Sequence, residues 1–82
     1  MKAEAALLLE RARHAYEQRD WADAFELLRA TDDLAPLGPD DLERLLWSAA
    51  MLDRDQDSLA AGDRLFETYV EAGRYDRAAY WA

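Results

Sequence analysis

The stretch Arg19-Asp-Trp-Ala-Asp-Ala-Phe-Glu-Leu-Leu28 decides the fold of this chain. Its apolar side chains recur at i, i+3, i+4 and i+7, the spacing of one face of an α-helix: Trp21, Ala24, Phe25 and Leu28. Asp20 comes just before this face, and its carboxylate can accept hydrogen bonds from the free N–H groups of a first helical turn. We therefore predict a helix over residues 21–33, capped by Asp20.

The residues before this stretch predict a first helix over residues 3–18. Its inward face carries apolar side chains at helical spacing: Leu8, Ala12, Ala15 and Tyr16. Only Arg19 and Asp20 remain between the two predicted helices. Because so short a connection makes consecutive helices antiparallel neighbours, residues 3–33 are predicted to form a helical hairpin.

Two prolines and a glycine interrupt the helical pattern between Leu34 and Pro39, and such a cluster cannot continue a helix. A new helix starts near residue 40, either with Pro39 at its first position and Gly38 as its cap, or with Asp40 capping against Glu43. Two acidic pairs flank this loop, and one alternative is that they hold a cation or a basic peptide: Asp32-Asp33 and Asp40-Asp41.

Residues 40–72 predict a second hairpin, made of helices over 40–52 and 56–72 with a short turn at Asp53-Arg-Asp55. The third helix has one apolar face: Leu42, Leu45, Leu46 and Ala49. The fourth helix has a similar face, flanked by Leu65: Leu59, Gly62, Phe66 and Tyr69. We expect both faces to point into the core.

A shorter fifth helix is predicted over residues 75–82, because Gly73 is a good stop for the fourth. The chain also contains an internal repeat. Arg19-Asp-Trp-Ala-Asp-Ala24 recurs as Gly73-Arg-Tyr-Asp-Arg-Ala78, and more weakly as Arg54-Asp-Gln-Asp-Ser-Leu59, about 35 residues after the first copy. This spacing favours a helical-hairpin repeat of about 34 residues.

Composition agrees with a single all-α domain over residues 1–82, an α-solenoid fragment of about five helices. The chain has no Ile, and Val70 is its only Val. Since β-branched residues favour strands while Ala, Leu, Glu and Arg favour helices, a sheet is disfavoured. The chain also has no Cys, which excludes disulfide bonds and thiolate metal sites.

The net charge is −8, from 10 basic and 18 acidic side chains. Nucleic acids and anionic membranes both attract clustered Lys and Arg, so we predict neither direct nucleic-acid binding nor membrane binding. The acidic excess is typical either of a solvated surface or of a surface for a basic partner. The apolar run Ala5–Leu9 is too short for a signal peptide or a membrane span, so a cytoplasmic location is predicted.

The spacing of these residues resembles the tetratricopeptide repeat (TPR). One copy matches the repeat's small, aromatic, small, large and proline positions: Ala12, Trp21, Ala24, Leu28 and Pro36. A partial copy matches its Gly, aromatic and Ala positions: Gly73, Tyr75 and Ala78. The second copy departs from the pattern, because Gln56 and Leu59 replace the aromatic and the Ala. The resemblance implies stacked hairpins with a groove that binds peptides.

The order of motifs also resembles a helical segment found in some LuxR-type transcriptional regulators. It runs from Arg-Asp-Trp-x-x-Ala-Phe at 19–25, through a Leu-rich third helix, to Phe-x-x-Tyr-x-x-Ala-Gly at 66–73. In those regulators the helical array precedes a C-terminal helix-turn-helix, and nothing in this chain resembles that DNA-reading helix. The resemblance implies an N-terminal regulatory segment in transcription regulation, with the DNA-binding part outside this chain.

No residue pattern points to catalysis, so we predict neither an enzyme nor a cofactor or metal site. Asp53-Arg-Asp-Gln-Asp57 starts like an EF-hand loop, but Ser58 and Arg64 replace the Gly and Glu that calcium binding requires. We expect a capped turn instead. His14 is the only His, with neither a Cys in the chain nor a carboxylate at i+4, which makes it a poor metal ligand or base.

Aromatic residues carry the functional hypothesis. Trp47 and Met51 lie one turn apart and partly off the leucine stripe of the third helix. They either line a peptide-binding groove or pack against the first hairpin. Tyr80 and Trp81 lie close to the last residue of this sequence. Their rings either pack on the fourth helix, or dock on a second copy to form a homodimer through the C-terminal helix, or belong to a natural chain that continues.

These four residues are therefore the predicted partner-binding residues of a non-catalytic protein–protein interaction or assembly module. Buried aromatic rings would provide the affinity, and the acidic rim would select a protein or peptide that is basic.

Overall fold

The structure, a computed structural model, describes residues 3–71 of the chain. This part contains four α-helices and no strand: α1 (Ala3–Glu17), α2 (Trp21–Leu34), α3 (Pro39–Met51) and α4 (Asp55–Glu71). α1 packs on α2, α3 packs on α4, and α2 packs on α3. The prediction of an all-α fold built from helical hairpins is confirmed, while the predicted fifth helix over 75–82 lies outside the described residues.

The two hairpin turns have the same backbone geometry, 34 residues apart. Arg19 in the first turn and Asp53 in the second have φ values of 59° and 60°. In both turns the next N–H donates to the carbonyl five positions earlier at 2.9 Å: Asp20 to Ala15, and Arg54 to Ala49. A positive φ followed by this hydrogen bond is the Schellman arrangement that ends helices. Each residue of the first turn thus has a counterpart 34 positions later.

The helix starts follow the local signals in the sequence. The carboxylate of Asp20 accepts from the N–H of Asp23 at 3.4 Å, a long capping bond. α3 begins at Pro39 with Gly38 as its N-cap, which decides between the two predicted alternatives. Pro39 is well suited to this position, because a first helical residue has no intrahelical partner for an N–H.

The core lies between the two hairpins and contains eleven buried residues: Ala12, Phe25, Leu28, Leu37, Leu42, Leu45, Leu46, Ala49, Ala61, Leu65 and Tyr69. The predicted face of α3 is buried in full, and on α2 only Trp21 of the predicted stripe is half-buried. Trp21 meets Tyr16 edge to face, with ring centroids 5.3 Å apart. The apolar stripes of α2 and α3 are therefore the centre of the fold.

The predicted inward face of α4 is wrong for two of its residues. Leu59 is 69% exposed and Phe66 is 39% exposed, whereas Ala61, Leu65 and Tyr69 are buried. The buried residues recur at i, i+4 and i+8, so the packed face is rotated from the predicted one. α4 has apolar side chains on both faces, and the sequence pattern does not say which of them α3 covers.

Two ion pairs connect the hairpins through the acidic pairs that flank the loop. Arg64 of α4 donates to Asp32 of α2 at 2.7 and 2.9 Å, and Arg13 of α1 donates to Asp41 of α3 at 3.1 and 2.9 Å. The hydrogen bonds from Arg64 hold the pKa of Asp32 below its usual value. The cations beside this loop are thus arginines of the chain itself.

Candidate functional site

The outer face of α3 presents two large apolar side chains. Trp47 is 41% exposed and Met51 is 58% exposed. At 100° per residue, both point away from the leucine face that packs in the core. Neither residue belongs to the buried core cluster between the hairpins.

A polar groove lies beside this face, between α1 and the first turns of α3. It has a volume of about 240 Å³ and is lined by Tyr16, Asp40, Glu43 and Arg44. Glu43 lies one helical turn before Trp47 on the same side of α3. The outer face of α3 therefore changes from acidic at its N-terminal end to apolar at its C-terminal end.

The carboxylate of Asp41 fixes α1 and α3 on either side of this groove. Asp41 is only 5% exposed, and it accepts from Arg44 at 2.9 Å as well as from Arg13. The hydrogen bond with Asp41 raises the pKa of Arg13 above its usual value. Charge-assisted bonds of this kind restrict geometry as well as adding energy, so this ion pair helps to hold α1 and α3 in place beside the groove.

A second groove, of about 680 Å³, lies between α1 and α2. Its lining mixes apolar and charged side chains: Leu7, Glu10, Arg11, His14, Ala15, Gln18, Asp20, Asp23 and Leu27. His14 is exposed. Nothing in this groove combines a nucleophile, a base and an orienting partner, so its lining suggests no reaction.

The turn that resembles an EF-hand loop is a helix connection. Asp53 supplies the positive φ of the turn, and Arg54 lies 3.9 Å from Asp57, nitrogen to oxygen. Across residues 3–71, no group of three or more His, Cys, Asp or Glu side chains is placed to hold a metal ion. The carboxylates of this turn thus face solvent and an arginine.

The outer side of α4 carries another apolar surface, which we call the end face: Leu59 and Phe66. Gly62 lies close to α3, because a Cβ added there would be 3.5 Å from Cδ1 of Leu46. The counterparts of Leu59 and Gly62, 34 positions earlier, are Phe25 and Leu28, and both are fully buried. The apolar pattern predicted that Leu59 and Phe66 lie in the core, and the 34-residue spacing gives the same prediction for Leu59, because its counterpart Phe25 is buried.

The structure therefore brings Trp47 and Met51 together on one helix face. The other two predicted partner-binding residues, Tyr80 and Trp81, lie outside the described residues. None of the helices within 3–71 combines the length and the apolar run needed to cross a membrane.

No protein-family model matches this chain, and neither a curated protein nor a solved structure matches it. The likeness to tetratricopeptide repeats and to LuxR-type regulators stays a prediction from the residues quoted above.

Proposed function

We propose that this chain is a non-catalytic interaction module that binds a basic segment of another protein along the outer face of α3. The observation that supports this most directly is the exposure of Trp47 and Met51 next to an acidic groove. Trp is enriched among the residues that dominate binding energy in protein interfaces. Met adapts to partners of different shape because its side chain is unbranched and polarizable.

Charge favours a basic partner over a neutral or acidic one. Asp40 and Glu43 line the groove beside the apolar part of the face, with Arg44 as its basic residue, and the whole chain carries a net charge of −8. A positively charged segment would be attracted by this field and oriented by the two carboxylates. Its apolar side chains would then contact Trp47 and Met51.

The face is held on a rigid support. The opposite side of α3 packs in the core through Leu42, Leu45, Leu46 and Ala49, and Asp41 fastens its N-terminal turn to α1. Binding to a preformed surface avoids the free-energy cost of ordering a flexible one. Little rearrangement of the described helices is therefore needed for a partner to bind.

The test uses a short amphipathic peptide with leucines at i and i+4 and lysines at the other positions. Binding is measured by isothermal titration calorimetry, against a matched peptide in which glutamates replace the lysines. We expect the basic peptide to bind more tightly, and Trp47→Ala to weaken its binding by about 2 kcal/mol, or roughly thirtyfold. Leu59→Ala is the matched control, because it also removes an exposed apolar side chain but from another face.

Equal binding of the basic peptide to the Trp47→Ala and Leu59→Ala variants would exclude the outer face of α3 as the site. Equal binding of the two peptides would exclude charge selection. Light scattering on the unliganded protein tests the other predicted partner, a second copy of the chain. In that case the chain runs as a dimer, and Trp81→Asp makes it monomeric.

A further inference from the structure

Two aromatic rings meet at the first hairpin turn and line a pocket of about 270 Å³. Tyr16 lies in the last turn of α1, and Trp21 is the first residue of α2. Their ring planes are 78° apart and their centroids are 5.3 Å apart, so the two rings form a corner. Glu17 and Arg19 complete the lining, and we call these four residues the turn pocket.

The backbone of the turn holds this corner in place. The N–H of Arg19 donates to the carbonyl of Tyr16 at 3.0 Å, and the N–H of Asp20 donates to the carbonyl of Ala15 at 2.9 Å. The side chain of Asp20 also caps α2, which fixes the start of that helix at Trp21. Both rings are therefore attached to backbone that is ordered by hydrogen bonds.

The turn itself does not require these rings. The second hairpin turn has the same positive φ and the same closing hydrogen bond. In that turn, Ala50 and Asp55 occupy the positions that correspond to Tyr16 and Trp21. The aromatic pair is thus a property of the first turn alone among the two, and connecting the helices does not explain it.

The lining of the turn pocket favours a cation of about the size of one side chain. Aromatic rings attract cations, and a guanidinium also stacks on them. The protein already contains such a contact, because Cζ of Arg54 lies 4.7 Å from the centroid of the Phe25 ring. Pockets for small-molecule ligands have volumes of roughly 300–1,000 Å³, so the smaller turn pocket is better suited to a single side chain.

The turn pocket adjoins the acidic groove beside α3, because Tyr16 lines both. Their combined lining has three carboxylates and two arginines: Glu17, Asp40 and Glu43, with Arg19 and Arg44. Arg44 is bonded to another carboxylate, that of Asp41, at 2.9 Å. A basic segment that lies on the outer face of α3 thus reaches Tyr16 at the N-terminal end of that helix.

We propose that the turn pocket receives an arginine side chain of the basic partner segment, an inference that rests on the proposed function above. The guanidinium lies against the rings of Tyr16 and Trp21, with Glu17 as its counter-ion. Arginine is favoured over lysine, because its planar group can stack on a ring and bond a carboxylate at the same time. Trp47 and Met51 hold the apolar part of the same segment.

Nuclear magnetic resonance with a minimal probe tests the turn pocket in the full-length chain. N-acetyl-arginine amide is the probe, and N-acetyl-citrulline amide, which has nearly the same shape but no charge, is its matched control. We expect the arginine probe to shift the indole N–H resonance of Trp21, which is identified by its loss in Trp21→Phe. The citrulline probe should bind about two- to fivefold more weakly.

The indole of Trp47 is the internal control, because it is exposed but lies on the outer face of α3, and it should shift less than that of Trp21. Equal binding of the two probes would overturn the proposal. An equal response of Trp47, or no response of Trp21, would also overturn it.

Substitutions of the two charged residues should have effects of opposite sign, which a merely structural role of the turn does not produce. Both side chains belong to exposed residues, so the fold is retained. Glu17→Gln should weaken binding of the arginine probe about twofold, and Arg19→Gln should strengthen it by a similar factor. Changes in the same direction, or no change in either variant, would contradict a cation in this pocket.

A peptide experiment separates this inference from the proposed function. The leucine–lysine peptide is made with an arginine at both ends, and a matched peptide has citrulline there. If both peptides bind equally and Trp47→Ala weakens both, the arginine pocket fails and the proposed function stands. If neither peptide binds while the arginine probe does, the proposed function fails and the arginine pocket stands.

Discussion

Phe25 on the first hairpin and Leu59 on the second follow the same turn, at positions 34 residues apart, yet the first is buried and the second exposed. The backbone of the two turns does not explain the difference, because the positive φ and the closing hydrogen bonds are the same. The difference lies in which helix packs against α2 and which against α4. α3 packs against α2, whereas no helix within residues 3–71 covers the outer side of α4.

The comparison shows that two turns with the same backbone geometry can differ in how much the residues that follow them contribute to stability. The same helix position contributes a core residue when another hairpin lies beside it, and a surface residue when none does. In this chain that difference leaves Leu59 exposed on the end face. Nearly one helical turn later, the second hairpin has Gly62 where the first has Leu28.

The largest expected effect contrasts the two counterpart residues directly. Phe25→Ala should lower the free energy of unfolding by about 3–5 kcal/mol, because it leaves a cavity in the core. Leu59→Ala should change it by about 0.5 kcal/mol or less, as exposed substitutions do. Urea denaturation followed by circular dichroism measures both values.

Phe25→Leu provides a milder variant of the same test if Phe25→Ala does not fold. Similar losses for Phe25→Leu and Leu59→Ala would mean that the two positions are equally covered, and the contrast between the hairpins would fail.

A smaller effect is expected at the ion pair that fastens α2 to α4. Asp32→Asn should cost roughly 1 kcal/mol at neutral pH, a value reduced for solvent screening because the side chains of Arg64 and Asp32 are 41% and 23% exposed. The pKa of Asp32 is lowered from its usual 3.8. Its stabilisation is therefore fully present above that value and is lost as the pH falls through the lower folded-state pKa.

The measurement compares urea midpoints of wild type and Asp32→Asn at neutral pH and well below pH 3.8. The difference should shrink at the lower pH. Asp33→Asn is the matched control, since it changes the neighbouring exposed carboxylate. A difference that does not depend on pH would mean that the charge of Asp32 contributes nothing to joining the hairpins.

An effect of similar size but opposite sign is expected at another pair of counterparts, Ser48 and His14. Ser48 is fully buried on α3, and its hydroxyl has no hydrogen-bond partner in the described part of the chain. Ser48→Ala should raise the free energy of unfolding by about 1 kcal/mol, because a buried unpaired hydroxyl is costly. His14→Ala, at the exposed counterpart on α1, should have an effect of about 0.5 kcal/mol or less.

Thermal unfolding by calorimetry is suitable for this comparison. A lower melting temperature for Ser48→Ala would show that the hydroxyl makes a stabilising hydrogen bond after all.

The sequence by itself determined where the helices lie. The apolar stripe of α3 and the short hairpin turns depend on neighbouring residues, because periodicity and capping are local effects. The sequence placed the start of α3 near residue 40, and the structure chose Pro39 with Gly38 as its cap. For the candidate site, the sequence placed Trp47 and Met51 partly off the leucine stripe, and it left open whether they line a groove or pack against the first hairpin.

Only the tertiary structure decided which apolar face of α4 is covered, and which arginine pairs with each acidic residue beside the loop. Asp41 and Arg13 are 28 residues apart in the chain, and Asp32 and Arg64 are 32 apart. Apolar side chains occur on both sides of α4, so periodicity alone could not choose between Leu65 and Phe66. The choice depends on how the two hairpins pack against each other. The free energy of that packing comes from contacts between segments that are distant in sequence.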